Sequence, residues 1–104
     1  MSEFVAVGEA EDFVTGAMKL ATVDGHEVVV TKIDGGFYAF ANECTHAHHP
    51  LSFGYIKGRE AVCIYHWAIF DATNGAVIQG PAARPLRTYP VKVEDGVVQV
   101  GSFE

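Results

Sequence analysis

The sequence of 104 residues has no long hydrophobic run, few basic residues and only two cysteines. No apolar stretch approaches the ~18 residues of a membrane-spanning helix, so we expect no membrane partner. The N-terminus has no basic region followed by an apolar segment, which predicts a cytoplasmic protein. In that reducing compartment the two cysteines are expected to be free thiols or metal ligands. The net charge of −6 argues against nucleic acid as a partner.

A sustained helical period is also missing, whereas short strand-like segments separated by turn signals run through the chain. Asp24-Gly25, Asp34-Gly35, Asn74-Gly75 and Asp95-Gly96 accept the positive φ angles of tight hairpin turns. The pattern predicts one antiparallel all-β domain, a meander or barrel, with at most one helical turn at 8–13. The predicted strands are 4–7, 17–23, 26–33, 37–41, 61–65, 68–72, 76–79, 89–93 and 97–101.

Both cysteines and four of the five histidines are concentrated in two short segments. One residue separates Cys44 from His46, and two separate Cys63 from His66, so that each pair can direct its side chains at a common centre. Two cysteines and two histidines suit a tetrahedral zinc site, although zinc ligands usually pair like with like at wider spacing. A mixed pair in each segment instead favours two metal atoms, as in a Rieske [2Fe–2S] centre.

The sequence resembles the Rieske-type ferredoxins, small electron carriers of bacterial ring-hydroxylating oxygenase systems. The resemblance implies that Cys44 and Cys63 bind one iron of a single [2Fe–2S] cluster, and that His46 and His66 bind the other iron. The segments that carry it are CTH at 44–46, LSFGYIKGRE at 51–60, CIYH at 63–66, IFDATNG at 69–75 and the proline segment GPAARPL at 80–86.

The resemblance further implies a Rieske fold, an antiparallel β-sandwich or incomplete barrel with an inserted cluster-binding part. The base would comprise residues 1–42 and 81–104, and the cluster-binding part residues 43–80. The implied function is one-electron transfer in aromatic hydrocarbon catabolism, with no catalytic activity of its own. Electrons would come from a flavin-containing, NAD(P)H-dependent ferredoxin reductase and pass to the Rieske centre of a terminal oxygenase.

Departures from the high-potential Rieske proteins indicate a low-potential carrier. Those proteins have an additional disulfide, whose positions correspond here to His49 and Tyr65. They also place hydroxyl donors where this chain has Ala68 and Phe70, and commonly a glycine where it has Trp67. Without the two donors, we expect a potential near the lower end of the Rieske range of roughly −150 to +300 mV.

Two other classes of protein remain open on the sequence. One is a zinc-stabilised binding module, and the other is a small subunit resembling that of assimilatory nitrite reductase, a Rieske fold that often lacks its cluster. The presence of all four ligands argues against the second. We further expect His48 and His49 to lie exposed beside the cluster, where they can contact a partner, and His26 to be an ordinary surface side chain.

Overall fold

The computed structural model describes residues 4–44, 49–64, 67–80 and 84–102. Within these ranges almost all of the regular secondary structure is β-strand, and no helix is long and apolar enough to cross a membrane. Short 3₁₀ turns cover Ala10–Asp12 and Leu51–Phe53. The strands are β1 (Phe4–Glu9), β2 (Met18–Val23), β3 (His26–Ile33), β4 (Gly36–Ala41), β5 (Tyr55–Lys57), β6 (Glu60–Val62), β7 (Ile69–Asp71), β8 (Val77–Gln79), β9 (Thr88–Tyr89), β10 (Val91–Glu94) and β11 (Val97–Gly101).

Three Asp-Gly dipeptides form the hairpin turns of β2–β3, β3–β4 and β10–β11. Asp24, Asp34 and Asp95 have φ angles of 51°, 49° and 53°, and each following glycine is also at positive φ. Two consecutive positive φ angles define the type I′ turn, whose twist matches that of the flanking strands. These three predicted turns are therefore confirmed. Asn74-Gly75 lies instead in a longer turn between β7 and β8.

The strands form three antiparallel sheets. The first has the order β1-β11-β10, the middle sheet β2-β3-β4-β9 and the third β5-β6-β7-β8. The middle sheet is covered on both faces. Val28 and Val30 of β3 pack into one hydrophobic core, whereas Val29 and Ile33 pack into the other. A strand buried on both sides needs a continuous apolar run, which explains the three consecutive valines of β3.

Each face of the middle sheet contributes to one hydrophobic core. The first core lies against the first sheet and contains Phe13, Val23, Val28, Val30, Ala39, Tyr89, Val98 and Val100. The second core lies against the third sheet and contains Val29, Ile33, Phe40, Cys44, Leu51, Ala61, Cys63, Ala68, Phe70, Ala72 and Leu86.

The all-β antiparallel prediction is confirmed, as is the helical turn within 8–13, but three strand assignments were wrong. The strand predicted at 61–65 ends at Val62; the N–H of Cys63 still bonds to the carbonyl of Ala68 in the register of β6 and β7, and Ile64 already lies in a turn. Strand β5 was not predicted. The single strand predicted at 89–93 is two strands, because Pro90 has no N–H to continue the ladder and the chain changes sheet there.

Candidate metal centre

The two cysteines lie in the same apolar core although 18 residues separate them in sequence. Cys44 and Cys63 are not joined in a disulfide, and each is 1% exposed. Leu51 and Phe70 belong to the same core and are equally well buried. The core thus contains both cysteine side chains, in surroundings that exclude water.

Each cysteine begins a loop that its own backbone N–H closes. The N–H of Cys44 donates to the carbonyl of His49 at 2.7 Å, and the N–H of Cys63 donates to the carbonyl of Ala68 at 2.9 Å. In both loops the acceptor is the fifth residue after the cysteine. We call the segments 44–49 and 63–68 the first and second ligand loops.

The two predicted histidine ligands, His46 and His66, lie outside the described residues, as does His48. Among the residues that the structure does describe, no group of three or more potential metal-ligating side chains occurs. Cys44 and Cys63 nevertheless fit an iron–sulfur cluster, because cysteine sulfur is the ligand type that such clusters take and both side chains lie in the same buried core. The assignment of Cys44, His46, Cys63 and His66 as ligands remains a prediction.

The second ligand loop is continuous with the third sheet. Val62 and Ile69 pair across β6 and β7 directly outside the loop. Within the loop, Trp67 has a φ of 60° although it carries a bulky side chain, and 56% of that residue is exposed. The side-chain amide of Gln79 donates to the Trp67 carbonyl at 3.1 Å, which helps to hold the unusual backbone conformation.

A polar network holds the turn that follows β7. Asp71 accepts hydrogen bonds from the hydroxyl and the N–H of Thr73 and forms an ion pair with Arg59 at 3.4 Å. The hydroxyl bond of Thr73 is the main reason that the pKa of Asp71 lies below its ordinary value. A lowered carboxyl pKa stabilises the fold above the unfolded-state pKa, and this contribution is lost as the pH falls through the folded-state value.

The sequence prediction missed three residues beside the ligand loops. Asn42 and Ser52 bond to each other across the base of the first ligand loop. Gly54 passes so close to β6 that a Cβ there would overlap the carbonyl oxygen of Val62. An asparagine directly after a strand and an isolated glycine between apolar residues were the available signals, and each has many ordinary explanations.

The sequence and the fold match known proteins over most of their length. Residues 3–90 match the family model of the Rieske [2Fe–2S] domain. The ferredoxin component of the naphthalene 1,2-dioxygenase system of Pseudomonas putida is 37% identical over 84 residues, which are 81% of each chain. The chain therefore belongs to the Rieske [2Fe–2S] domain family, and the predicted family is confirmed.

Two solved structures share the whole architecture. The ferredoxin of carbazole 1,9a-dioxygenase from Nocardioides aromaticivorans IC177 matches with a TM-score of 0.89 and 31% identity, covering 93% of this chain and 95% of its own. A chain in the complex of reduced oxygenase and oxidised ferredoxin of carbazole 1,9a-dioxygenase matches with a TM-score of 0.91 and 27% identity, covering 97% of this chain and 94% of its own.

The backbone at Trp67 yields a prediction about stability. A side chain at positive φ strains the backbone by about 1–2 kcal/mol, and glycine avoids that strain. We expect Trp67→Gly to be more stable than Trp67→Ala by about 1 kcal/mol, since both variants lose the indole but only glycine relieves the backbone. Urea unfolding followed by circular dichroism measures the difference, and equal stabilities would show that the conformation is not strained.

Proposed function

We propose that this protein is a low-potential Rieske ferredoxin, the electron carrier of a multicomponent ring-hydroxylating dioxygenase system. The observation that carries the proposal is the convergence of Cys44 and Cys63 in one buried core, each opening a loop closed in the same way. His46 and His66 complete the proposed ligand set. When bound, a [2Fe–2S] cluster supplies reversible one-electron chemistry, so the chain carries electrons and is not itself a catalyst.

The surroundings of the thiols support a low potential. Ala68 and Phe70 are both 0% exposed and share the core with the two cysteines, but neither has a side-chain donor. Hydrogen bonds to sulfur are among the factors that set the potential of an iron–sulfur centre. The apolar side chains of this core exclude water and offer no compensating donor at these two positions.

The proposed partners are a terminal oxygenase as electron acceptor and a flavin-containing, NAD(P)H-dependent ferredoxin reductase as donor. The acceptor is supported by the solved complex of oxygenase and ferredoxin in carbazole 1,9a-dioxygenase, to which this fold is similar. The donor rests on the sequence resemblance. A cytoplasmic location is part of the proposal, since a reducing compartment keeps the two thiols available for iron.

We also propose that the chain consists of a base and a cluster-binding part. Residues 1–42 and 81–104 would form the base, and residues 43–80 the cluster-binding part. The third sheet, formed entirely within residues 55–79, supports this division, as does the second ligand loop, which connects its strands β6 and β7.

Anaerobic redox titration of the purified protein tests the proposed function. We expect two irons and two acid-labile sulfides per chain, uptake of one electron, and a midpoint near the lower end of the roughly −150 to +300 mV range. His46→Cys and His66→Cys should lower the midpoint if a cluster still assembles, because thiolate adds negative charge. A colourless protein with stoichiometric zinc would identify a binding module, and a folded protein without metal would favour the cluster-free small-subunit class.

The absence of a donor at Phe70 gives a prediction about potential. A hydroxyl that donates to a sulfur binds more strongly when that sulfur gains negative charge, so it stabilises the reduced state. With a difference of about 1 kcal/mol, Phe70→Tyr should raise the midpoint by roughly 40 mV. Ala68→Ser should act in the same direction, whereas Phe70→Leu adds no donor and should not. Equal midpoints for wild type and Phe70→Tyr would mean that position 70 does not face a sulfur.

A further inference from the structure

Asn42 connects three parts of the chain at the base of the first ligand loop. Its side-chain N–H groups donate to the Glu27 carboxylate at 2.7 Å and to the Ser52 hydroxyl at 3.1 Å, and its side-chain oxygen accepts the N–H of Ser52 at 2.7 Å. Its backbone N–H donates to the carbonyl of Glu27 at 3.0 Å. Asn42 is 8% exposed, so these bonds replace contacts with water.

The network fixes the orientation of the Asn42 side chain. If the amide were reversed, its oxygen would face the carboxylate of Glu27, and its NH₂ group would face the N–H of Ser52. The first contact would then place two acceptors against each other, and the second would place two donors against each other. Only the observed orientation lets the amide donate two hydrogen bonds and accept one.

The two ligand loops differ in the interactions that lie directly beyond their closing hydrogen bonds. For the second loop, the pairing of Val62 with Ile69 continues the sheet directly beyond the closing bond. At the corresponding place in the first loop stands Pro50, which has no N–H to donate to a ladder. The contacts between Asn42 and Ser52 lie just outside this position and join the two ends of the loop. In the first loop, hydrogen bonds to the Asn42 side chain therefore take the place that strand pairing has in the second loop.

We propose that Asn42 is a positioning residue for the metal centre. It holds the first ligand loop closed and anchors that loop to β3 through Glu27, and so fixes the position of Cys44, two residues further along the chain. The proposal rests on the proposed function, because the loop is a ligand loop only if Cys44 binds iron. It adds to that function a residue that contacts no metal and controls how firmly the metal is held.

The experiment compares cluster loss in a set of variants. For each loaded protein we would measure the rate of bleaching in excess chelator, the midpoint potential and the EPR spectrum of the reduced state. Asn42→Ala should lose its cluster at least ~10-fold faster, the lower end of the effect of removing an outer-shell partner, with an altered EPR spectrum and midpoint. Asn42→Asp should behave similarly, since it places two carboxylates against each other.

Exchanging the carboxylate and the amide between positions 27 and 42 tests the orientation of the network. Glu27→Gln alone should stay within about twofold of wild type, because a glutamine oxygen can still accept from Asn42. Combining Glu27→Gln with Asn42→Asp should restore the rate to within about threefold, since glutamine then donates to the new carboxylate. This rescue requires direct contact between residues 27 and 42, and a general loss of stability would not produce it.

Thr31→Val is the matched control for a merely structural role. Thr31 is 0% exposed and donates one hydrogen bond to the carbonyl of Ala17 at 2.8 Å, and neither residue belongs to a ligand loop or forms a hydrogen bond with Asn42. This variant should unfold more easily yet keep the wild-type bleaching rate and EPR spectrum. If Asn42→Ala gave the same result, or the double variant showed no rescue, the proposal would be overturned. The iron and sulfide content of wild type, measured first, tests the proposed function separately.

Discussion

Cys63→Ser is expected to yield a protein largely devoid of iron and acid-labile sulfide, and Cys44→Ser should do the same. Serine preserves the shape of the side chain but replaces a soft thiolate with a hydroxyl that remains protonated at neutral pH. The chain has only two cysteines, so no other thiol can substitute. Iron and sulfide analysis, together with visible absorption, measures the loss.

The matched control for these cysteine variants is Ala61→Ser. Ala61 is 1% exposed and belongs to the same core as both cysteines, so the variant introduces an equivalent buried hydroxyl while leaving both thiols in place. It should lose some stability but retain its cluster. A fully loaded Cys44→Ser protein with the wild-type spectrum would refute the ligand assignment.

Gly54→Ala should be strongly destabilising although it changes no proposed ligand. The added Cβ would overlap the carbonyl oxygen of Val62, a backbone atom of β6 in the residue directly before Cys63. Val62 pairs with Tyr55 on one side and Ile69 on the other, so it cannot move without disturbing both ladders. We expect a destabilisation of about 3 kcal/mol or more, at the upper end for overpacking, and reduced cluster content.

Gly58→Ala separates steric overlap from backbone strain. Gly58 has a φ of 62°, and a Cβ added there would meet nothing within 4 Å. Its alanine variant should therefore show only the strain of positive φ, about 1 kcal/mol. Thermal unfolding of the loaded proteins should show a drop of roughly 10–20 °C for Gly54→Ala and a much smaller one for Gly58→Ala. Similar drops for both would mean that the contact with Val62 is unimportant.

The parts of the fold that follow from local chemistry could be predicted from the sequence. Asp-Gly turns such as Asp24-Gly25 determine hairpins through φ preferences alone, and the valine run of β3 indicates a strand. Strand β5 was missed because three residues between two glycines carry little periodicity. The end of β6 was misplaced because the chain turns at Ile64, and the apolar residues on either side of it do not reveal that turn.

The cysteines were easier to identify as candidate ligands than the residues that surround them. Cys44 and Cys63 were recognisable because rare residue types recur at characteristic spacing in a chain that has few of them. Asn42 and Gly54 act through contacts with Glu27, Ser52 and Val62, whose proximity only the folded chain creates. Asparagine and glycine are common in loops, so their identity alone conveys no such role.

The two-sided burial of the middle sheet makes the free energy of metal binding a property of the whole chain. Val29 and Phe40 face the core that contains the thiols, while Val28 and Ala39, their neighbours on the same strands, face the other core. Opening the thiol-containing core would expose one face of a sheet on which the other core also depends. The two layers should therefore unfold cooperatively, with the amides of β3 exchanging hydrogen only through global unfolding. Iron bound in the thiol-containing layer should therefore slow amide hydrogen exchange in the other layer as well.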